Sequence, residues 1–145
     1  MLNNQHAEEL SFKTVPAFVE LLQAASHVRA LPDGGALLVG FDDQATYDNP
    51  NFRWLKARND RFYYIDRVVV GSAYRGRGIA RLLYEDLQRR AVLENRLRLV
   101  CEINSTPPNP ASDDFHRKLG FAVVGTQELV GQGKTVCYWA KELVQ

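Results

Sequence analysis

The sequence predicts one α/β domain over residues 1–145, built on a mixed sheet, and three observations carry that expectation. Phe62 to Val70 and Leu97 to Ile103 are apolar runs rich in β-branched and aromatic residues, and between them Ile79, Leu82, Leu83, Leu87 and Ala91 recur at helical spacing. Strand, glycine-rich turn, helix, strand is a βαβ unit, whose two strands lie parallel with a right-handed crossover. On either side of it, two pairs of short apolar runs, joined by Pro32-Asp33-Gly34-Gly35 and by Gly131-Gln132-Gly133, read as antiparallel hairpins.

The elements follow in order. From Thr14 to Ala25 the apolar positions recur at three and four, with Pro16 in the first turn and Thr14 as N-cap, which predicts an amphipathic helix. Residues 27–31 and 36–41 are the strands of the first hairpin. Residues 42–60 are polar yet hold Tyr47, Phe52 and Trp54, so they are expected to fold as a structured loop with a short helix near 51–58. The helix after the glycine turn shows Arg81-Glu85-Arg89 and Asp86-Arg90 at i,i+4 on its outer face. The tail reads as a helix from Ser112 to Leu119 stopped by Gly120, then strands 121–129 and 135–141.

Composition narrows the function. At 46% hydrophobic and 24% charged the chain is ordinary globular material, and it shows no repeat or linker that would divide it. Eighteen basic against 17 acidic residues leave a formal charge of +1, so no nucleic-acid partner is expected, although 13 of the 18 are arginine and a local anion site stays open. Cys101 and Cys137 lie in apolar runs without CxxC spacing and read as reduced, buried thiols. The three histidines show no paired spacing, so no metal site is expected. No apolar run approaches a membrane span, and MLNNQHAEEL lacks a secretory pattern, which predicts a soluble, cytoplasmic protein away from membranes.

The segment Arg75-Gly76-Arg77-Gly78-Ile79-Ala80 stands where a strand hands over to a helix, the place where unpaired N–H groups and the positive end of the helix dipole meet solvent. Two glycines let a diphosphate approach the backbone closely. No Gly-Lys-Ser/Thr follows, and Arg81 stands where a dinucleotide fingerprint requires a third glycine, so both nucleotide readings fall. Read alone, the turn could equally be a plain connection between strand and helix.

Val68-Val69-Val70 followed by Tyr74-Arg75-Gly76-Arg77-Gly78-Ile79-Ala80 resembles the Arg/Gln-x-x-Gly-x-Gly/Ala signature of the GNAT superfamily of N-acetyltransferases. Asn109-Pro110-Ala111 through Phe115-His116-Arg117-Lys118-Leu119-Gly120-Phe121 is similar to that family's downstream block. The resemblance runs over about residues 27–141 in element order. It implies the acyl-CoA fold: a mostly antiparallel sheet with a central parallel pair and helices on both faces. It also implies that the family's N-terminal strand is missing here, since a single helix precedes His27, and that this leaves a sheet edge open to a second chain, as in a homodimer. Acetyl-CoA is the implied co-substrate. Main-chain groups of Val68, Val69 and Val70 would line its pantetheine, the amides of Arg75, Gly76, Arg77, Gly78, Ile79 and Ala80 would hold its diphosphate, and the Asn109 side chain would bond the arm.

Two residues are candidates for proton transfer. By alternation Phe62, Tyr64, Asp66, Val68 and Val70 share one face of the strand, and a carboxylate on an apolar face is often functional. Asp66 is therefore the candidate base, at a position where the family more often has glutamate. An ion pair of Asp66 with Arg61 or Arg67 is the competing reading. His116 stands where the family usually has a tyrosine that protonates the departing thiolate. A histidine can do the same task, and a surface histidine with water as the acid is the competing reading. Glu102, Asn104, Tyr47, Asp48 and Trp54 could face the acceptor. The expected activity is direct acetyl transfer to a primary amine on a small molecule or peptide; the alternative is a non-catalytic acyl-CoA-binding module, favoured by the short N-terminus and the replaced tyrosine.

Overall fold

The computed structural model describes residues 15–143. In chain order they form helix α1 (Val15–Ala24), strands β1 (His27–Ala30) and β2 (Ala36–Asp42), helix α2 (Pro50–Arg58), strand β3 (Phe62–Val70), helix α3 (Ile79–Leu93), strand β4 (Arg98–Thr106), helix α4 (Pro110–Lys118) and strands β5 (Ala122–Leu129) and β6 (Lys134–Glu142). Thr14, and the N-terminal strand whose absence was expected, concern residues outside those described. The mixed α/β fold is the one the sequence predicts.

The six strands lie in the order β1-β2-β3-β4-β6-β5, antiparallel throughout except for β3 and β4. One face of the sheet packs against α3, where Leu83, Tyr84 and Leu87 meet Tyr63, Ile65 and Leu99, with Phe115 of α4 against the same cluster. The other face packs against α1 and α2, where Leu21, Phe52 and Leu55 meet Phe41, Phe62 and Tyr64. Phe52 sits edge-on or tilted to Phe41, Phe62 and Tyr64 at centroid distances of 5.7–6.3 Å, contacts worth about 0.5–1.5 kcal/mol each beyond the area they bury.

Local chemistry sets the helix starts. Asn49 caps α2, its side chain accepting from the amides of Asn51 (2.9 Å) and Phe52 (3.2 Å), with Pro50 in the first turn. Asn109 does the same for α4, accepting from Ser112 N at 3.3 Å, so that helix begins two residues before the expected Ser112. Gly120, at φ 96°, ends it. On α3 the expected Asp86–Arg90 pair does not form. Asp86 is taken by Arg29 of β1 in a two-pronged contact (2.9 and 3.2 Å), and Arg90 bonds Glu94 at 2.7 Å.

Two features of β3 position the site. Its pairing with β2 skips a residue, because Val39 faces Arg67 and Gly40 faces Ile65, so Asp66 is the extra residue of a β-bulge. Strict alternation therefore fails there. Phe62 and Tyr64 face α1 and α2, whereas beyond the bulge Val68 and Val70 lie on the α3 face with Tyr63 and Ile65, so the five residues expected on one face are divided between two. The parallel pairing of β3 with β4 is also short, running only from Phe62–Arg98 to Tyr64–Val100. From Ile65 and Cys101 onward the strands diverge, and among the described residues the β3 edge that faces β4 has no strand beside it.

Candidate functional site

The divergence opens a cleft of about 440 Å³ between Asp66, Val68 and Val70 on one wall and Cys101, Glu102 and Asn104 on the other. Arg75 and Ala80 line one end of it, and Asn51, Gln132 and Lys134 line the opposite end. A twisted sheet whose central parallel pair separates exposes main-chain N–H and C=O groups inward, the requirement for gripping an extended ligand along its backbone.

The glycine turn ends that strand edge. Gly76 and Gly78 adopt φ of 76° and 73°, conformations costly for any residue with a Cβ, and nothing lies within 4 Å of where a Cβ would project. Gly78 is the N-cap of α3 and supplies no side-chain cap, so first-turn amides of α3 remain for a ligand. The turn is tied down from behind. The Tyr74 ring lies where a Cβ on Gly35 would sit, 2.2 Å away, its hydroxyl donates to Asp33, and Gly71 N donates to Gly35 O at 2.7 Å. Pro32-Asp33-Gly34-Gly35 is thus both a hairpin turn, as expected, and the buttress of the glycine turn, which sequence reasoning missed.

Of the expected coenzyme residues, Val68, Val70, Arg75, Ala80 and Asn109 line the cleft. Val69 is buried, paired with Leu37, and Ile79 packs against the α3 core. Gly76, Arg77 and Gly78 lie exposed at the turn, with the Arg77 guanidinium 5.5 Å from the Tyr74 ring centroid. The Asn109 carbonyl is engaged in capping α4. An open, left-handed turn followed by an uncapped helix start fits a diphosphate, and the unpaired strand edge leading to it fits a pantetheine.

Further along the cleft the bulge turns Asp66 into a polar knot. Its side chain is 2% exposed, accepts from the Tyr47 hydroxyl at 2.6 Å and pairs with Arg67 Nε at 2.5 Å. Tyr47 in turn stacks on Phe41 at 3.9 Å. Of the two arginines weighed for Asp66, Arg67 is the one it meets. Facing this knot from β4, the Glu102 carboxyl hydrogen-bonds the Tyr64 hydroxyl. Burial pushes Glu102 up to about 8; the Tyr64 bond and Arg67 oppose that rise, and the negative charge of Asp66 adds to it. A carboxyl that changes state near neutral pH beside one held as an ion pair gives the cleft an acid–base group. The sequence carried a signal for it: Glu102 is the one charge in the run Leu99-Val100-Cys101-Glu102-Ile103, the same inconsistency that singled out Asp66.

His116 is 4% exposed and part of the cleft wall. Its Nδ1 lies 2.7 Å from Ser112 O, which makes Nδ1 the protonated nitrogen, so Nε2 accepts from the Tyr84 hydroxyl at 2.8 Å. Burial lowers its proton affinity, with the Ser112 carbonyl and Asp113 opposing. Burial also raises Tyr84 well above the usual phenol range. Among the loop residues, Trp54 stacks on Tyr138 at 4.1 Å and covers Gly125, and Asp48 turns outward to Arg53. These two do not line the cleft.

Solved structures share this fold. A structure of smu.2055 from Streptococcus mutans superposes with a TM-score of 0.70 at 17% identity, covering 99% of this chain and 90% of that one. The NatC complex bound to Gag peptide and CoA gives 0.69 at 18% identity, covering 99% and 87%. A structure from Bacillus anthracis described as a "putative streptothricin acetyltransferase" in complex with acetyl coenzyme A gives 0.58 at 20% identity, covering 79% of this chain; the chain spans 60% of that one and 64% of a nourseothricin acetyltransferase structure. No curated protein matches. The family model described as acetyltransferase (GNAT) family matches residues 17–121, and the chain belongs to that family.

Proposed function

We infer that this protein transfers the acetyl group of acetyl-CoA to a primary amine by direct attack. The observation that supports it best is the continuity of three features: an unpaired β3 edge, a left-handed glycine turn at its end, and a buried carboxyl pair at the point where β3 and β4 part. Acetyl-CoA supplies an activated thioester as co-substrate. The chain's part is to bind and orient. Val68 to Val70 would offer main-chain groups to the pantetheine and Gly76 to Ala80 amides to the diphosphate, the Arg75 N–H being already given to Ser72 O at 3.4 Å, and the Asn109 amide would bond the arm.

The amine nitrogen bonds to the thioester carbonyl carbon as the C–S bond breaks, and the nitrogen gives up a proton. In this reading Glu102 receives that proton, and burial, with a smaller push from Asp66, keeps the proton affinity of Glu102 high. The departing thiolate takes its proton from solvent at the cleft, since the Tyr84 hydroxyl proton is given to His116 Nε2. An oxyanion on the thioester oxygen would meet an unpaired β3 amide near Val68.

The test is titration with acetyl-CoA followed by coenzyme release over an amine panel, for the unaltered chain, Asp66→Asn and Glu102→Gln. Tight binding with turnover that both variants lose supports the enzyme. The second reading, a non-catalytic acyl-CoA-binding module, draws on the engagement of both Asp66 and His116 with protein partners; it predicts the same binding and no turnover on any amine.

A further inference from the structure

The end of the cleft remote from the glycine turn has an unusual charge inventory, and it bears on which amine the protein takes. Apart from Arg75 beside the glycine turn and His116 on α4, the Asp, Glu, Arg, Lys and His side chains that line the cleft are Asp66, Arg67, Glu102 and Lys134. Asp66 and Arg67 are 2% and 5% exposed and cancel one another at 2.5 Å. Glu102 is buried against Tyr64 and Asp66, a setting that favours its neutral form near pH 7. Lys134, partly buried at the start of β6, has no ion-pair or hydrogen-bond partner among the described residues. The carboxylates nearest in sequence do not serve it: Glu128 is exposed on β5, and Glu142 pairs with Arg98 at 2.8 Å.

The remaining lining at that end is built of neutral hydrogen-bonding amides, Asn49, Asn51 and Gln132, with Leu129 and Val136 as apolar floor. Asn51 is itself fixed by the Tyr138 hydroxyl at 2.8 Å. With no ligand the acceptor end therefore carries about one net positive charge, concentrated on Lys134. A polycation would enter against that charge. A small amine with an anionic group of its own would match it, the anion at the lysine and the amine nitrogen within hydrogen-bonding reach of the carboxyls.

Resting on the acetyl-transfer reading above, we propose that the acceptor is an amino carboxylate, a free amino acid or close analogue, with its amine beside Glu102 and its carboxylate held by Lys134 and the neighbouring amides. The chemistry balances as a simple transfer: the amine nitrogen gains the acetyl group and loses one proton, and the coenzyme leaves as the thiol. The acceptor's carboxylate takes no part in bond making and serves only to place the amine.

The experiment is a coenzyme-release assay on matched pairs, amino acids against their carboxamides, with spermidine and kanamycin as polycations. Lys134→Met and Lys134→Glu are run alongside, and acetyl-CoA affinity reports that each variant is folded. The expected result is a kcat/KM at least tenfold higher for the amino acid than for its amide, expressed in KM, a ratio that Lys134→Met collapses toward one and Lys134→Glu inverts. Better turnover of the polycations, or a preference that survives Lys134→Met, overturns the amino-carboxylate assignment and leaves acetyl transfer standing. Acetyl-CoA binding without turnover of any amine overturns both.

Discussion

Glutamine in place of Glu102 keeps the shape and a hydrogen bond to Tyr64 but removes a group that binds protons very differently in the folded and unfolded chain. Folded, Glu102 releases its proton near 8; unfolded, it does so near 4.5. Between those values the folded chain holds a proton that the unfolded chain has lost, so raising the pH through the window destabilises the fold. At about 1.36 kcal/mol per unit, the span from 4.5 to 8 sets a ceiling of about 5 kcal/mol, a large part of a small domain's total stability. Glu102→Gln escapes that cost. Urea unfolding followed by tryptophan fluorescence at pH 5, 7 and 9 should show the variant gaining on the unaltered chain by several kcal/mol from pH 5 to 9. All other titrating groups are shared and cancel in the difference. Coenzyme release should meanwhile rise through pH 8 in the unaltered chain and be absent from the variant. A stability difference that stays flat from pH 5 to 9 would refute the burial argument, and a fully active variant would refute the role.

Further expectations concern the turn, its buttress and acid conditions. Gly76→Ala and Gly78→Ala meet open space, so only the left-handed backbone resists them, at about 1–2 kcal/mol each; calorimetry should show folded proteins with acetyl-CoA affinity weakened at least tenfold. Gly35→Val drives a Cβ into the Tyr74 ring and separates its hydroxyl from Asp33. The expected result is a severalfold rise in KM for acetyl-CoA with kcat nearly constant. Burial lowers the proton affinity of both His27 and His116, so below about pH 6.5 the unfolded chain takes up protons that the folded chain refuses, and stability falls as pH falls. Urea midpoints between pH 7 and 5 test this, and His116→Gln should flatten part of the slope.

Elements fixed by local pattern were readable in advance. Strand β3 occupies Phe62–Val70 and helix α3 starts at Ile79 as expected, because uninterrupted β-branched residues and a glycine turn act on neighbouring residues only. The bulge at Asp66 was not readable, because it exists only in the register between β3 and β2, and it overturned the shared face that had singled Asp66 out. The parting of β3 from β4 after Tyr64 is likewise a property of two strands together. Asp66 reached the cleft all the same, and the importance of Glu102 emerged only once Tyr64 and the burial around it were located. For His116 a surface position was the competing reading to that of a proton donor. It is instead the buried side chain of α4, because Tyr84, Phe115 and Phe121 enclose it.

The two ends of the cleft are specified by different kinds of matter. Under the proposed acetyl transfer, coenzyme recognition would come from peptide groups of β3 and of a turn locked by glycine conformation, which side-chain replacement barely alters. Where the amine would lie, recognition would come from side chains on the α2 entry and the β5–β6 hairpin, each replaceable one at a time. Such a division lets mutation drift the acceptor from one amine to another while the acyl donor stays fixed, and it makes the hairpin around Gln132 and Lys134 the place to begin redesigning what this chain acetylates.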